Sequence, residues 1–267
     1  MIGNGEIRMS DTHWKTKITQ IKPNEVRLRG YRIDELMGKI TFSEAIYLTL
    51  KGELPSPEVA TIIEAILVSS IDHGVTPPSA LAARTVASTG ADLNAAVATG
   101  ILAINRYHGG AIYDCMGMIQ EGLQRVKELG KPVDTVAEEM VAEYRAAKKR
   151  MAGIGHRIHT NDPRTAKLFS MAEESGVAGE GIQMLQALEE ALAKSGKSLP
   201  INVDGAIAAL LVDLNIPQGL ANAFFIMARV PGLVAQVYEE QTTQPPMRNI
   251  HPLDHEYDGP GPRGLKR

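Results

Sequence analysis

The chain has 267 residues, 44% of them apolar and 22% charged, with a formal net charge of −3. That length supports one large domain or two small ones, and the slight acidity disfavours a nucleic-acid surface. The lone cysteine, Cys115, excludes an intrachain disulfide and a cysteine-rich metal site.

The first ten residues are polar and carry no apolar signal core, so a reducing cytosol is the expected compartment. Two short stretches of period-two character follow, Thr16–Ile21 and Glu25–Arg32. Pro23-Asn24 lies between them as a turn, so a small hairpin is expected. Everything after it reads as helical, with apolar residues every three to four positions. The expected helices are Thr41–Leu50, Ser56–Asp72, Pro78–Ala87, Leu93–Tyr107, Tyr113–Lys127, Val133–Lys148, Asp162–Glu174, Gly179–Lys197, Val203–Leu214 and Pro217–Tyr238. Ser56-Pro57 and Asp162-Pro163 each place a capping residue before a proline suited to the first turn. The longest apolar-rich runs, such as Val59–Ile71 with its Glu64, fall short of the roughly 20 residues of a membrane span. From Gln241 onward the composition is that of a surface arm.

No repeat or linker divides the chain. Joints are expected at His108-Gly109-Gly110 and near Asn215-Ile216-Pro217. They bracket an inserted small domain, 109–214, within a large domain formed by 1–108 and 215–267. Closure at the two joints is the expected motion.

Three segments place a titratable residue beside glycine: Arg106-Tyr107-His108-Gly109-Gly110, Gly153-Ile154-Gly155-His156-Arg157 and Asn202-Val203-Asp204-Gly205. Two imidazoles and a carboxylate suit proton transfer to carbon with stabilisation of an enolate. Each residue also has a plainer reading. His108 ends an expected helix and suits a cap. His156 sits in a loop whose glycines free backbone amides for an anion. Asp204 begins an apolar helix, as a cap would. His159 is spaced from His156 as a metal ligand, but no third ligand accompanies them, so no metal is expected. Arg164 is a first-turn arginine, and Arg229, in an apolar helix, calls for an anionic partner in the protein or in a substrate. His73 follows a long apolar helix, where the dipole favours imidazolium.

Together these segments resemble the citrate synthase superfamily, above all its short citryl-CoA lyase modules. Four stretches carry the resemblance: Asp72-His73-Gly74 with Val86–Ala91 downstream, His108-Gly109-Gly110, Gly155-His156-Arg157 with Asp162-Pro163-Arg164, and Asn202-Val203-Asp204. The resemblance implies a mainly α, citrate synthase-like fold of two domains with a short N-terminal β-hairpin. It implies an acyl-CoA C–C lyase that splits citryl-CoA into acetyl-CoA and oxaloacetate. The alternatives are a citrate or 2-methylcitrate synthase and a catalytically silent CoA or 2-oxo acid-binding homologue. The implied roles are enolate stabilisation for His108, hydroxyl-side acid/base for His156 and carbon acid/base for Asp204. His73, Arg164 and Arg229 would hold carboxylates, and Arg248 would reach into a neighbouring subunit's site. Gly153, Gly155 and Arg157 would lie against coenzyme A. No permanently bound cofactor is implied, since the CoA thioester is the substrate. The implied partners are an acyl-CoA, a 2-oxo di- or tricarboxylate, a second copy in a homodimer or dimer-based oligomer, and a separate CoA ligase, with no nucleic acid and no membrane.

Overall fold

The structure is a computed structural model that describes residues 14–155, 162–248, 254 and 256–264. His156, Arg157 and His159 lie outside the described residues. The fold is mainly helical, with a short N-terminal sheet.

The expected hairpin is a three-stranded antiparallel sheet of β1 (Thr19–Lys22), β2 (Glu25–Leu28) and β3 (Tyr31–Arg32). Pro23-Asn24 makes the first turn, with Lys22 opposite Glu25 and Asn24 at a φ of 60°. The single expected strand Glu25–Arg32 is broken because Arg29 and Gly30 both take positive φ, 50° and 92°, and turn the chain again. The Arg29 guanidinium donates to the Thr49 carbonyl at 2.6 and 3.0 Å, which fastens the sheet to the helical body.

The helices follow as α1 (Ile33–Leu36), α2 (Phe42–Lys51), α3 (Pro57–Ser69), α4 (Pro78–Ser88), α5 (Leu93–Leu102), α6 (Ala111–Leu129), α7 (Val133–Ala146), α8 (Pro163–Glu174), α9 (Glu180–Lys194), α10 (Val203–Asp213) and α11 (Ala221–Thr243). Their starts obey local chemistry. Thr41 and Glu44 close a reciprocal capping box on α2, and Asp162 caps α8 ahead of Pro163. Three helix ends differ from expectation. α3 stops at Ser69 rather than Asp72, and α7 stops at Ala146, followed by Lys148 at a φ of 52°. α5 stops at Leu102 rather than Tyr107, because Asn105 and His108 exchange both amide–carbonyl hydrogen bonds, at 2.8 and 2.9 Å, in a tight turn. α11 runs on to Thr243, past the expected start of the surface arm.

The chain divides into two compact units. The first comprises Met1–Ser69 and Ile112–Ala221, and the second Ser70–Ala111 and Asn222–Arg267. The seams fall near the two expected joints, but residues before Ser69 group with the middle block because α3 packs on α8. In the first unit α10 is buried almost all round, at Val203 and from Gly205 to Leu211, against α8 and α9. A helix apolar on every face belongs inside a core. The second unit is built on close approach: small residues Ala83, Ala87 and Ala96 of α4 and α5 meet Leu233 and Val237 of α11.

The stretch Gln218–Thr243 is long and apolar enough to cross a bilayer by length and composition, which corrects the expectation that no run reaches that length. Its buried residues include Phe224, Leu233 and Val237, together with the charged Arg229 and Glu240, as in a core helix.

Candidate active site

In the second unit, the His108 turn depends on its glycines. Gly109 has a φ of 80°, and a Cβ there would lie 2.7 Å from Ile104 and 2.8 Å from Phe225. A Cβ on Gly110 would meet the Arg106 carbonyl oxygen at 2.6 Å. His108 therefore does not cap α5; it sits half-buried in the turn before α6. Its Nε2 lies 2.8 Å from the Oγ of fully buried Ser79, and its ring meets Phe225 edge-on at 5.7 Å. On the other side of this cluster, the Arg229 guanidinium lies 4.7 Å from the Phe225 ring centroid, and its Nε donates to the Ser70 carbonyl at 3.0 Å. Burial first, then the charges of Arg229 and His73, pushes the His108 imidazole below its ordinary range. The ring is therefore neutral at pH 7, the form that hydrogen-bonds an enolate oxygen without handing over a proton outright. His73 is exposed and lies beyond the end of α3 rather than capping it. His108, His73 and Arg229 thus share one neighbourhood.

In the first unit, Asp204 occupies the first turn of α10, half-buried. The cap is not Asp204 but Asn202, whose Oδ1 accepts the Gly205 amide at 3.1 Å. Asn202 also donates through Nδ2 to the Gly155 carbonyl at 2.7 Å. The Gly155 amide donates to the Pro200 carbonyl at 2.7 Å, so it is not the anion-directed donor that its sequence context suggested. Burial first, then the charges of Asp204 and Asp114, pushes the Cys115 thiol up, which keeps it neutral beside Asp204. Arg164 is not simply solvated: its Nε and Nη2 hold Asp162 at 3.0 and 2.9 Å. Burial would raise Asp162, but the Arg164 side chain and amide, its charge and the Val203 amide bring it below the usual carboxylate range.

A cleft of about 540 Å³ opens beside this segment. Its lining includes Gly155, Ile154, Tyr144 and the basic side chains Arg145, Lys149, Arg150 and Lys197. At the chain's far end, Arg248 pairs bidentately with Glu240 of its own chain, both bonds at 2.7 Å. Glu240 in turn accepts from buried Arg84 at 2.7 Å. Among the described residues no group of three His, Cys, Asp or Glu side chains is arranged to hold a metal ion.

Ser79, Phe225 and Asn202 were not singled out by sequence reasoning. Ser79 and Phe225 carry no local signal of their own. Asn202 did: an Asn three residues before Gly205, at the head of an apolar run, is a cap signature.

The family described as "Citrate synthase, C-terminal domain" matches residues 55–252. The chain belongs to the citrate synthase family. Among solved members, the citryl-CoA lyase of Hydrogenobacter thermophilus is similar at 46% identity and a TM-score of 0.87, over 95% of this chain and 97% of that one. The ATP citrate lyase of Methanothrix soehngenii, solved with citrate and coenzyme A, shares the fold at a TM-score of 0.80 and 22% identity, over 95% of this chain and 43% of that one. The citrate synthase of Haloferax volcanii is 31% identical over 72% of this chain and 49% of its own length. The chain spans about half the length of this curated synthase of the citrate synthase family.

Proposed function

We propose that the protein is a citryl-CoA lyase acting in the cytoplasm as a homodimer or dimer-based oligomer. The observation that carries this reading is the end-to-end likeness to the Hydrogenobacter lyase, whose chain is covered almost completely. Longer synthases and lyases match only over part of their length.

In this reading His156 accepts the citryl hydroxyl proton. The carbon–carbon bond breaks, its electrons pass into the thioester carbonyl, and oxaloacetate forms. Neutral His108, oriented through Ser79, donates a hydrogen bond to the resulting enolate oxygen. Protonated Asp204 then delivers its proton to the terminal carbon, giving acetyl-CoA. His73, Arg164 and Arg229 hold the carboxylates, with Arg164 offering the part of its fork that Asp162 does not occupy. The basic cleft by Gly155, next to Gly153 and Arg157 in sequence, suits the phosphates of coenzyme A, with Ile154 and Tyr144 as apolar surface. The 109–214 block closes over the substrate at its two joints. Arg248 serves a neighbouring subunit's site by exchanging Glu240 for a substrate carboxylate. A separate CoA ligase supplies citryl-CoA, and the CoA thioester is substrate rather than resident cofactor.

The Haloferax relative favours a second reading, condensation of an acyl-CoA with a 2-oxo acid followed by thioester hydrolysis. The two separate on mixing acetyl-CoA with oxaloacetate and following free thiol. A lyase releases none beyond background; rapid thiol release with citrate formation makes the protein a synthase. Binding of coenzyme A without turnover of any acyl-CoA would make it a silent homologue.

A further inference from the structure

Gly153 and Gly205 stand on the two segments that carry the proposed acid/base pair. Gly153 lies three residues before His156, and Gly205 directly follows Asp204. The two glycines touch backbone to backbone. A Cβ on Gly205 would overlap the Gly153 carbonyl oxygen, and a Cβ on Gly153 would lie 2.7 Å from the Gly205 Cα and 2.6 Å from the Cys115 Sγ. Neither overlap with backbone can be relieved by a side chain swinging aside. Gly153 also takes a φ of 77°, open mainly to glycine. Alanine would favour α10 more than Gly205 does, so the helix itself gives no reason for glycine there.

The same segments are joined on both sides of the contact. The Asn202 amide donates to the Gly153 carbonyl at 3.0 Å, the Gly155 amide to the Pro200 carbonyl at 2.7 Å, and Ile154 bridges to Ile201. Cys115 of α6 closes a third side.

We propose that Gly153 and Gly205 are positioning residues, whose contact sets the separation between Asp204 and the chain entering His156. The spacing lets the carbon acid and the hydroxyl base address one substrate, and any side chain after Asp204 forces the segments apart. This inference rests on the reading of Asp204 as the group that exchanges a proton with the acetyl carbon.

The test measures deuterium wash-out from methyl-deuterated acetyl-CoA in the presence of oxaloacetate, with kcat and KM for citryl-CoA cleavage and the thermal midpoint. Gly205→Ala is expected to lower wash-out and kcat together by about 100-fold, the cost of a misplacement near 1 Å, with KM unchanged. Gly181→Ala is the packing control: its Cβ would meet the Ala209 carbonyl at 2.7 Å and Asp213 at 2.8 Å, at the far end of α10. It is expected to lower the midpoint and keep wash-out. Wild-type wash-out in Gly205→Ala, or an equal loss in Gly181→Ala, overturns the inference. If Gly205→Ala does not fold, Cys115→Val presses on Gly153 from the third side. A kcat loss of about tenfold at constant KM supports the proposal, and unchanged kcat overturns it. Asp204→Asn separates the two levels. If it still exchanges at the wild-type rate, the reading of Asp204 fails. If it is silent while Gly205→Ala is normal, only the positioning inference fails.

Discussion

The two proposed halves of the chemistry are held by different means. His108 is held by side chains: Ser79 on one ring nitrogen, Phe225 against the ring edge, and the charges of Arg229 and His73 nearby. Asp204 is held by backbone: Asn202 at the cap, Gly153 and Gly205 in direct contact, and Pro200 bonded to Gly155. A side-chain setting tunes protonation and tolerates graded substitution. A backbone setting fixes position and fails when an atom is added. The two regions should therefore break differently.

The largest expected effect is on the groups themselves. Asp204→Asn and His108→Ala should each lower kcat by about 10²–10⁴-fold, measured as oxaloacetate release from citryl-CoA, while coenzyme A binding persists. Next comes Glu240→Gln in the second unit. Glu240 and Arg84 are almost fully buried, and removing the carboxylate strands the Arg84 charge against fewer partners. Denaturant unfolding should show a loss of about 3 kcal/mol. Arg248, more exposed, adds little to that figure. Ser79→Ala should be graded rather than absolute, with kcat down about tenfold and the acid limb of the pH–rate profile shifted. An unshifted profile would remove Ser79 from the His108 setting.

The smallest effect is the response to pH, where the regions have opposite signs. His108 has a folded pKa below its unfolded value of about 6.5, so its contribution to stability is present above that pH and is lost as pH falls through it. Asp213, at the end of α10, is pushed up by burial against the pull of the Gly181, Gly179 and Ile182 amides. Its folded pKa is raised, so its contribution is fully present in acid, below the ordinary carboxylate value of about 3.9, and is lost as pH rises through the folded value. Unfolding midpoints of wild type and His108→Gln should converge below about pH 6 and differ above it. Parallel curves across that range would contradict the His108 assignment.

Much of the architecture was legible because helices announce themselves through periodicity and caps. Asp162-Pro163 marked α8, and the apolar run after Asp204 marked a buried helix. Tertiary contacts decided the rest. Leu93–Tyr107 read as one helix because its composition favours helix, yet the Asn105–His108 turn ends it, since Gly109 and Gly110 must pass close to Phe225 and Arg106. The glycines of Gly153-Ile154-Gly155 suggested open amides, whereas their use is close packing and pairing with 200–205. Sequence placed Asp204 at a helix start but not Asn202 as its cap, because both residues satisfy the same local signature. Ser79 was invisible because its partner is 29 residues away in sequence.

The most direct test is a single turnover of citryl-CoA with the full-length protein, quenched and resolved by mass. The account predicts acetyl-CoA and oxaloacetate in equal amounts, with no citrate and no free coenzyme A. Citrate and free coenzyme A as the products would contradict it.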